Sequence, residues 1–217
     1  MFAALAVLVA TTQDSPVVPE LALRRQYKKG EVTRYSSTLR IIGQLPMRMT
    51  TRIRQTVKNV YENGDADVET AVEAVEVAVE EQRARPPLPP PVVERYTPYG
   101  AKSGTNRDLG SMIFRLSSSL GPRPVSMGKA VPFEERQGER VVRGEFKLVG
   151  IEKEIARFAA GVTISSPESA IPMQLEFRSW IQIPSGKLQQ AEGTLTDVPS
   201  DGTIGKVDRI IFSIVRI

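Results

Sequence analysis

Residues 47–80 read MRMTTRIRQTVKNVYENGDADVETAVEAVEVAVE, two arms of alternating character meeting at Asn63-Gly64. Asn-Gly is the strongest short-range hairpin signal, because a type I′ turn needs positive φ at both central residues. Counting outward from a two-residue turn sets Lys58 opposite Glu69 and Arg54 opposite Glu73. The same register faces Val57 with Thr70, Gln55 with Val72 and Ile53 with Ala74, so charges share one face and apolar side chains the other. One residue bulged out near Ala74-Val75 keeps the pattern going. Arg52 then meets Glu76, Arg48 meets Glu80, and Val77 and Val79 return beside Met47 and Met49. A helix is the competing reading, with Val68, Val72, Val75 and Val79 at helical spacing. The valines favour a strand, and a helix would deprive the basic arm of its acidic partners. Arms of roughly fifteen residues reach about 50 Å, a length that demands twist and curvature.

A curved sheet has a concave side that something must fill. Asp108 to Leu120 offers the best helix, with Leu109, Met112, Ile113, Leu116 and Leu120 on one stripe and Gly121-Pro122 as its stop. The fold expected is mainly β: a curved antiparallel, half-barrel-like sheet with long hairpins and one amphipathic helix on the concave face. Further strands are predicted at Leu21 to Lys28, Val32 to Ile42 and Val92 to Tyr99. A second run comprises Arg140 to Gly150, Ile155 to Ile164, Met173 to Ile183, Lys187 to Leu195 and Gly205 to Ile217. Pro184-Ser185-Gly186 marks another hairpin turn. The last strand, with Ile210, Ile211, Phe212, Ile214 and Val215, is expected at the centre. The two halves share a pattern of single strands followed by a long hairpin, a weak sign of internal duplication. Residues 85–91 are proline-rich and read as a stiff connector, since proline cannot donate to a ladder.

Composition excludes much chemistry. The 217 residues contain no cysteine and no histidine. Thiol nucleophiles, Cys/His zinc sites, histidine-ligated haem and histidine-containing triads are therefore ruled out. No cofactor and no metal are expected, and the chain does not read as an enzyme. The net charge of +4 comes from 29 basic and 25 acidic residues that are interspersed, which argues against nucleic-acid binding. Phe2 to Ala10 is an apolar run of export-signal length, too short to span a bilayer. Residues 1–12 are read as a truncated export signal, and residues 13–217 as a single mainly-β domain. Without cysteine there is no site for lipid attachment, so a periplasmic or extracellular product with no transmembrane anchor is expected.

The catalytic motifs in view lack their context. Ser126 and Lys129 have the S-x-x-K spacing of serine acyl enzymes, but Pro124 and Gly128 make the segment a loop. Gly121 to Lys129 has the wrong spacing for a phosphate loop. Glu134, Glu135, Glu139, Glu152 and Glu154 lie among Arg136, Arg140 and Lys153 and read as a solvated face.

Tyr27-Lys28-Lys29-Gly30, together with Pro122, Pro124, Val125 and Gly128, resembles the turn and the proline-containing loop of a group of uncharacterised exported bacterial proteins. Val131 and Pro132 stand where that group carries a tryptophan. The long hairpins with a helical element are also similar to LolA-like lipoprotein carriers. That resemblance implies acyl chains bound between a concave sheet and a helical lid. The function expected is a non-enzymatic binding protein for a lipid or other hydrophobic molecule. The residues singled out are Met47, Met49, Ile53, Val57, Val72, Met112, Ile113, Leu116 and Phe177. The alternative is a cell-envelope structural or protein-partner-binding module with a filled core and no ligand, which uses a sheet edge or an exposed patch around Trp180 and Tyr99.

Overall fold

A computed structural model describes residues 20–101, 109–121, 123–137, 139–167, 169–199 and 205–217. The expected export segment lies outside them. The chain runs through β1 (Glu20–Leu21), β2 (Val32–Gly43), β3 (Met47–Val60), β4 (Ala66–Val79), β5 (Gln82–Ala84), β6 (Val92–Thr97) and β7 (Gly100–Ala101). After helix α1 (Leu109–Ser118) come β8 (Val125–Ser126), β9 (Ala130–Gln137), β10 (Arg140–Glu152), β11 (Ile155–Ser165), β12 (Met173–Gln182), β13 (Lys187–Thr196) and β14 (Val207–Arg216).

The long hairpin is present, with 14 residues in each arm. Its turn differs from the expected type I′. Gly64 N–H donates to the Tyr61 carbonyl at 2.9 Å and Tyr61 N–H to the Asp65 carbonyl at 2.8 Å. Within the loop only Gly64 has positive φ (84°), so Glu62-Asn63-Gly64 form a three-residue loop of type I closed by a glycine bulge. That loop moves the register by one, and Lys58, extruded between Val57 and Asn59, moves it by one more in the same direction. Two single steps preserve the faces but exchange the partners. Val57 therefore opposes Val68, Gln55 opposes Thr70 and Ile53 opposes Val72. Glu73 is the extra residue on β4, beside the expected bulge, and it brings Val77 opposite Met49 and Val79 opposite Met47. Lys58–Glu69 (2.9 Å) and Arg54–Glu73 (3.1 Å) do pair, though not as directly opposed residues. Arg52 and Arg48 oppose Ala74 and Ala78 instead of glutamates, and Glu76 takes Arg83 (3.6 Å) and Arg85 (3.7 Å).

Among the described residues twelve strands form one antiparallel sheet whose main path is β7-β6-β4-β3-β2-β14-β13-β12-β11-β10-β9, with β5 added to β4. It is two meanders joined where β14 pairs with β2, so the C-terminal strand is central as expected. The sheet is not closed into a barrel: β7 ends one side and β9 the other. The sequence reading starts the second run of strands at Arg140 and so omits β9, whose Pro132 is tolerated because this is an edge.

The chain leaves the sheet at β7 and re-enters it at the opposite edge, β9, so α1 has to cross the space between the edges. A one-sided stripe was expected there. Instead Met112 through Ser118 are all buried, because the curled sheet surrounds the helix. Phe114, off the stripe, meets Tyr35 edge-on at 5.0 Å. The helix is thus a plug and not a lid, and its backbone lies nearest β12, β13 and β7.

Residues 20–31 differ from the expected Leu21 to Lys28 strand. Only Glu20 and Leu21 pair, with Ser126 and Val125. The rest is an extended strap in which Leu23 and Arg25 point inward. Arg25 N–H donates to the Pro98 carbonyl (2.7 Å) and Gln26 N–H to the Ser185 carbonyl (3.1 Å), so the strap ties the β6–β7 turn to the β12–β13 turn. A Cβ on Gly186 would sit 2.6 Å from the Arg24 carbonyl oxygen, so only glycine lets the strap pass this close.

Candidate ligand site

The inner face of the C-terminal meander carries a cross-strand row, Phe146–Ala160–Phe177–Gly193–Phe212, in which large and small residues alternate. The next row runs Leu148–Phe158–Ser179–Ala191. Small side chains at Ala160 and Ser179, between phenylalanines on three strands, leave volume that the plug does not fill. The result is a cavity of about 290 Å³.

Its floor is Phe146, Phe158, Ala160, Phe177 and Ser179, with Phe133 from the edge strand β9. Leu116, Ser119, Leu120 and Gly121 close it from the end of α1, and Leu21 and Leu23 from the strap. Thr97, Tyr99 and Gly100 contribute from the other edge of the sheet. Residues of both edges share one cavity, which is the direct sign of how far the sheet curls. Three connections hold these walls together. Leu120 N–H donates to the Tyr99 carbonyl (2.7 Å), Gly128 N–H to the Leu148 carbonyl (2.8 Å), and Arg115 of the plug pairs with Glu135 of β9 (2.5 Å).

The electrostatics around the cavity follow from that architecture. Arg115 is 4% exposed and makes one ion pair, while its Nε and Nη2 are buried without partners among the described residues. Burial pushes Glu94 of β6 above the usual carboxylate range, and the nearby Arg115 pulls the other way. On the strap, Arg25 reaches the Tyr35 hydroxyl at 3.3 Å, and burial pushes Tyr27 up to about 12. Tyr27 O–H donates to the Thr97 carbonyl at 3.1 Å. These buried polar groups fix the strap and the plug in place.

Of the residues singled out from sequence, Leu116 and Phe177 line the cavity. Met112 and Ile113 lie in solid core beside it. Met49 and Ile53 are partly buried and pack against the same core from the long hairpin. Val57 belongs to a separate cluster with Ala66, Val68, Tyr96 and Tyr27. Met47 and Val72 are half-buried on the hairpin, away from the cavity. Sequence reasoning missed Phe133, Phe146, Phe158, Ala160 and Ser179. The available signal was the inward-facing alanine and serine between phenylalanines. Trp180 is half-buried on the outer face of β12, whereas Tyr99 faces the cavity, so they do not form one patch.

The arrangement defines a class: an open antiparallel sheet curled around a helical plug, with an apolar cavity where plug, strap and both sheet edges meet. No protein-family model and no curated protein matches the chain. Among solved structures it is similar to DynF from the dynemicin biosynthesis pathway of Micromonospora chersina, at 9% identity. The TM-score is 0.20, over 99% of this chain and 92% of that one. A likeness of that degree bears on neither the fold nor the site. Among the described residues no helix is long and apolar enough to cross a membrane.

Proposed function

We propose that this is an exported, non-enzymatic binding protein that holds a small hydrophobic molecule in the cavity between the plug and the C-terminal meander. The observation that carries the reading is the unfilled space over Ala160 and Ser179, walled by four phenylalanines. Small-molecule sites are concave, mostly apolar and furnished with a few polar groups, and this one has that composition. The resemblance of the sequence to LolA-like carriers points to a hydrophobic cargo held against a curved sheet. Volume limits the cargo: small-molecule sites span roughly 300–1,000 Å³, and about 290 Å³ suits one small molecule or chain instead of several acyl chains.

Native mass spectrometry of the purified full chain, before and after solvent extraction, tests the reading together with an Ala160→Phe variant that fills the cavity. A bound species of discrete mass on the wild type, absent from the folded variant, is the expected result. Hydrophobic compounds retained equally by both would overturn it.

A further inference from the structure

The charges around the cavity are not balanced. Among the described residues two carboxylates line it, and each is already engaged by an arginine outside the lining: Glu134 by Arg143 at 2.9 Å and Glu135 by Arg115 at 2.5 Å. Among the described residues Arg123 is the one basic residue in the lining, it is exposed, and it has no ion pair. A second cation, Arg24, stands over the ring of the lining residue Tyr99, 5.6 Å from its centroid. An apolar chamber of this size, with spent carboxylates and an unspent guanidinium, is complementary to a molecule that is greasy at one end and anionic at the other.

Resting on the carrier reading above, we propose that the ligand is a single-chain amphiphile with one carboxylate. Its apolar body lies among Phe133, Phe146, Phe158 and Phe177, and its carboxylate is met by Arg123. A planar guanidinium can grip a carboxylate with two parallel hydrogen bonds, which an alcohol cannot reproduce and an amine would oppose. The paired Glu134 and Glu135 reinforce the choice, because their arginines keep them from repelling the anion.

Calorimetric titration of the full chain with decanoate, decanol and decylamine, which share one apolar tail, tests this. Decanoate should bind about tenfold more tightly than decanol, the scale of a charge-assisted hydrogen bond at a partly solvated site. Decylamine should be the weakest. Arg123→Gln should bring the decanoate-to-decanol ratio to about one, chiefly by weakening decanoate, and Arg123→Lys should retain part of it. Equal binding of decanoate and decanol by the wild type, or a ratio unchanged in Arg123→Gln, would overturn the carboxylate assignment and leave the carrier reading standing. Binding of none of the three would overturn both.

Discussion

The two meanders use their inner faces differently. In the C-terminal one, Val142, Leu148, Ala156, Ile164, Leu175, Leu188, Ala191 and Leu195 are at or below 1% exposure, and the plug rests on β12 and β13. In the N-terminal one, the long hairpin buries a small cluster near its turn, while Met47, Met49, Val75, Val77 and Val79 at its far end are only half-covered. Its outer face is laced by Arg34, Arg54 and Lys58 with Glu69 and Glu73. One half therefore supplies the packed core and the cavity, and the other a long wall whose register is chosen by its turn, its bulges and its ion pairs. Length and clean alternation make a hairpin conspicuous, yet they do not say where the energy or the site resides.

The largest expected effect that sharpens this contrast is Leu175→Ala, which should cost about 2–5 kcal/mol as a buried leucine truncation in solid core. Val77→Ala at the hairpin's far end should cost well under half as much, because its site is already half-open. Chemical denaturation of both variants checks the difference, and equal losses would break it. A smaller effect is expected at Glu94. Its pKa is raised in the fold, so its contribution is favourable below the unfolded value near 4.3, and that contribution is lost as pH rises through the raised value. Glu94→Gln should then raise the melting temperature at neutral pH, with the gain disappearing in strong acid. The opposite sign holds for Asp67, whose carboxyl is held below its usual range by the Tyr61 hydroxyl at 2.5 Å and by Arg95 at 2.6 Å. Tyr61→Phe should raise the Asp67 pKa followed by NMR, while global stability barely changes. Smallest of all, Arg54→Ala should cost no more than about 1 kcal/mol, since its partners Glu69 and Glu73 are part-exposed.

These regions also show what the sequence could reveal. Isoleucines 210, 211 and 214 with Phe212 put the last strand at the centre of the sheet, and alternation in Met173 to Ile183 marked an inward face correctly. The hairpin's faces were legible, but its partners were displaced by two. Nothing local distinguishes a two-residue Asn-Gly turn from a three-residue loop with glycine last, and Lys58 carries no mark of being extruded. The helix stripe was legible, whereas burial of Phe114, Arg115 and Ser117 was not. That burial follows from a crossing between distant sheet edges, a property of topology and not of helical periodicity. The cavity was the least visible feature, because it is made by what Ala160 and Ser179 lack.

The most direct measurement is a methyl-resolved NMR titration of the full chain with decanoate. Leu21, Leu23, Leu116, Leu120 and Ala160, which line the cavity, should shift together and saturate, while Met47 and Met49 on the hairpin stay in place. Saturable shifts at Met47 and Met49 with none at Ala160 would contradict the placement of the site in the C-terminal half.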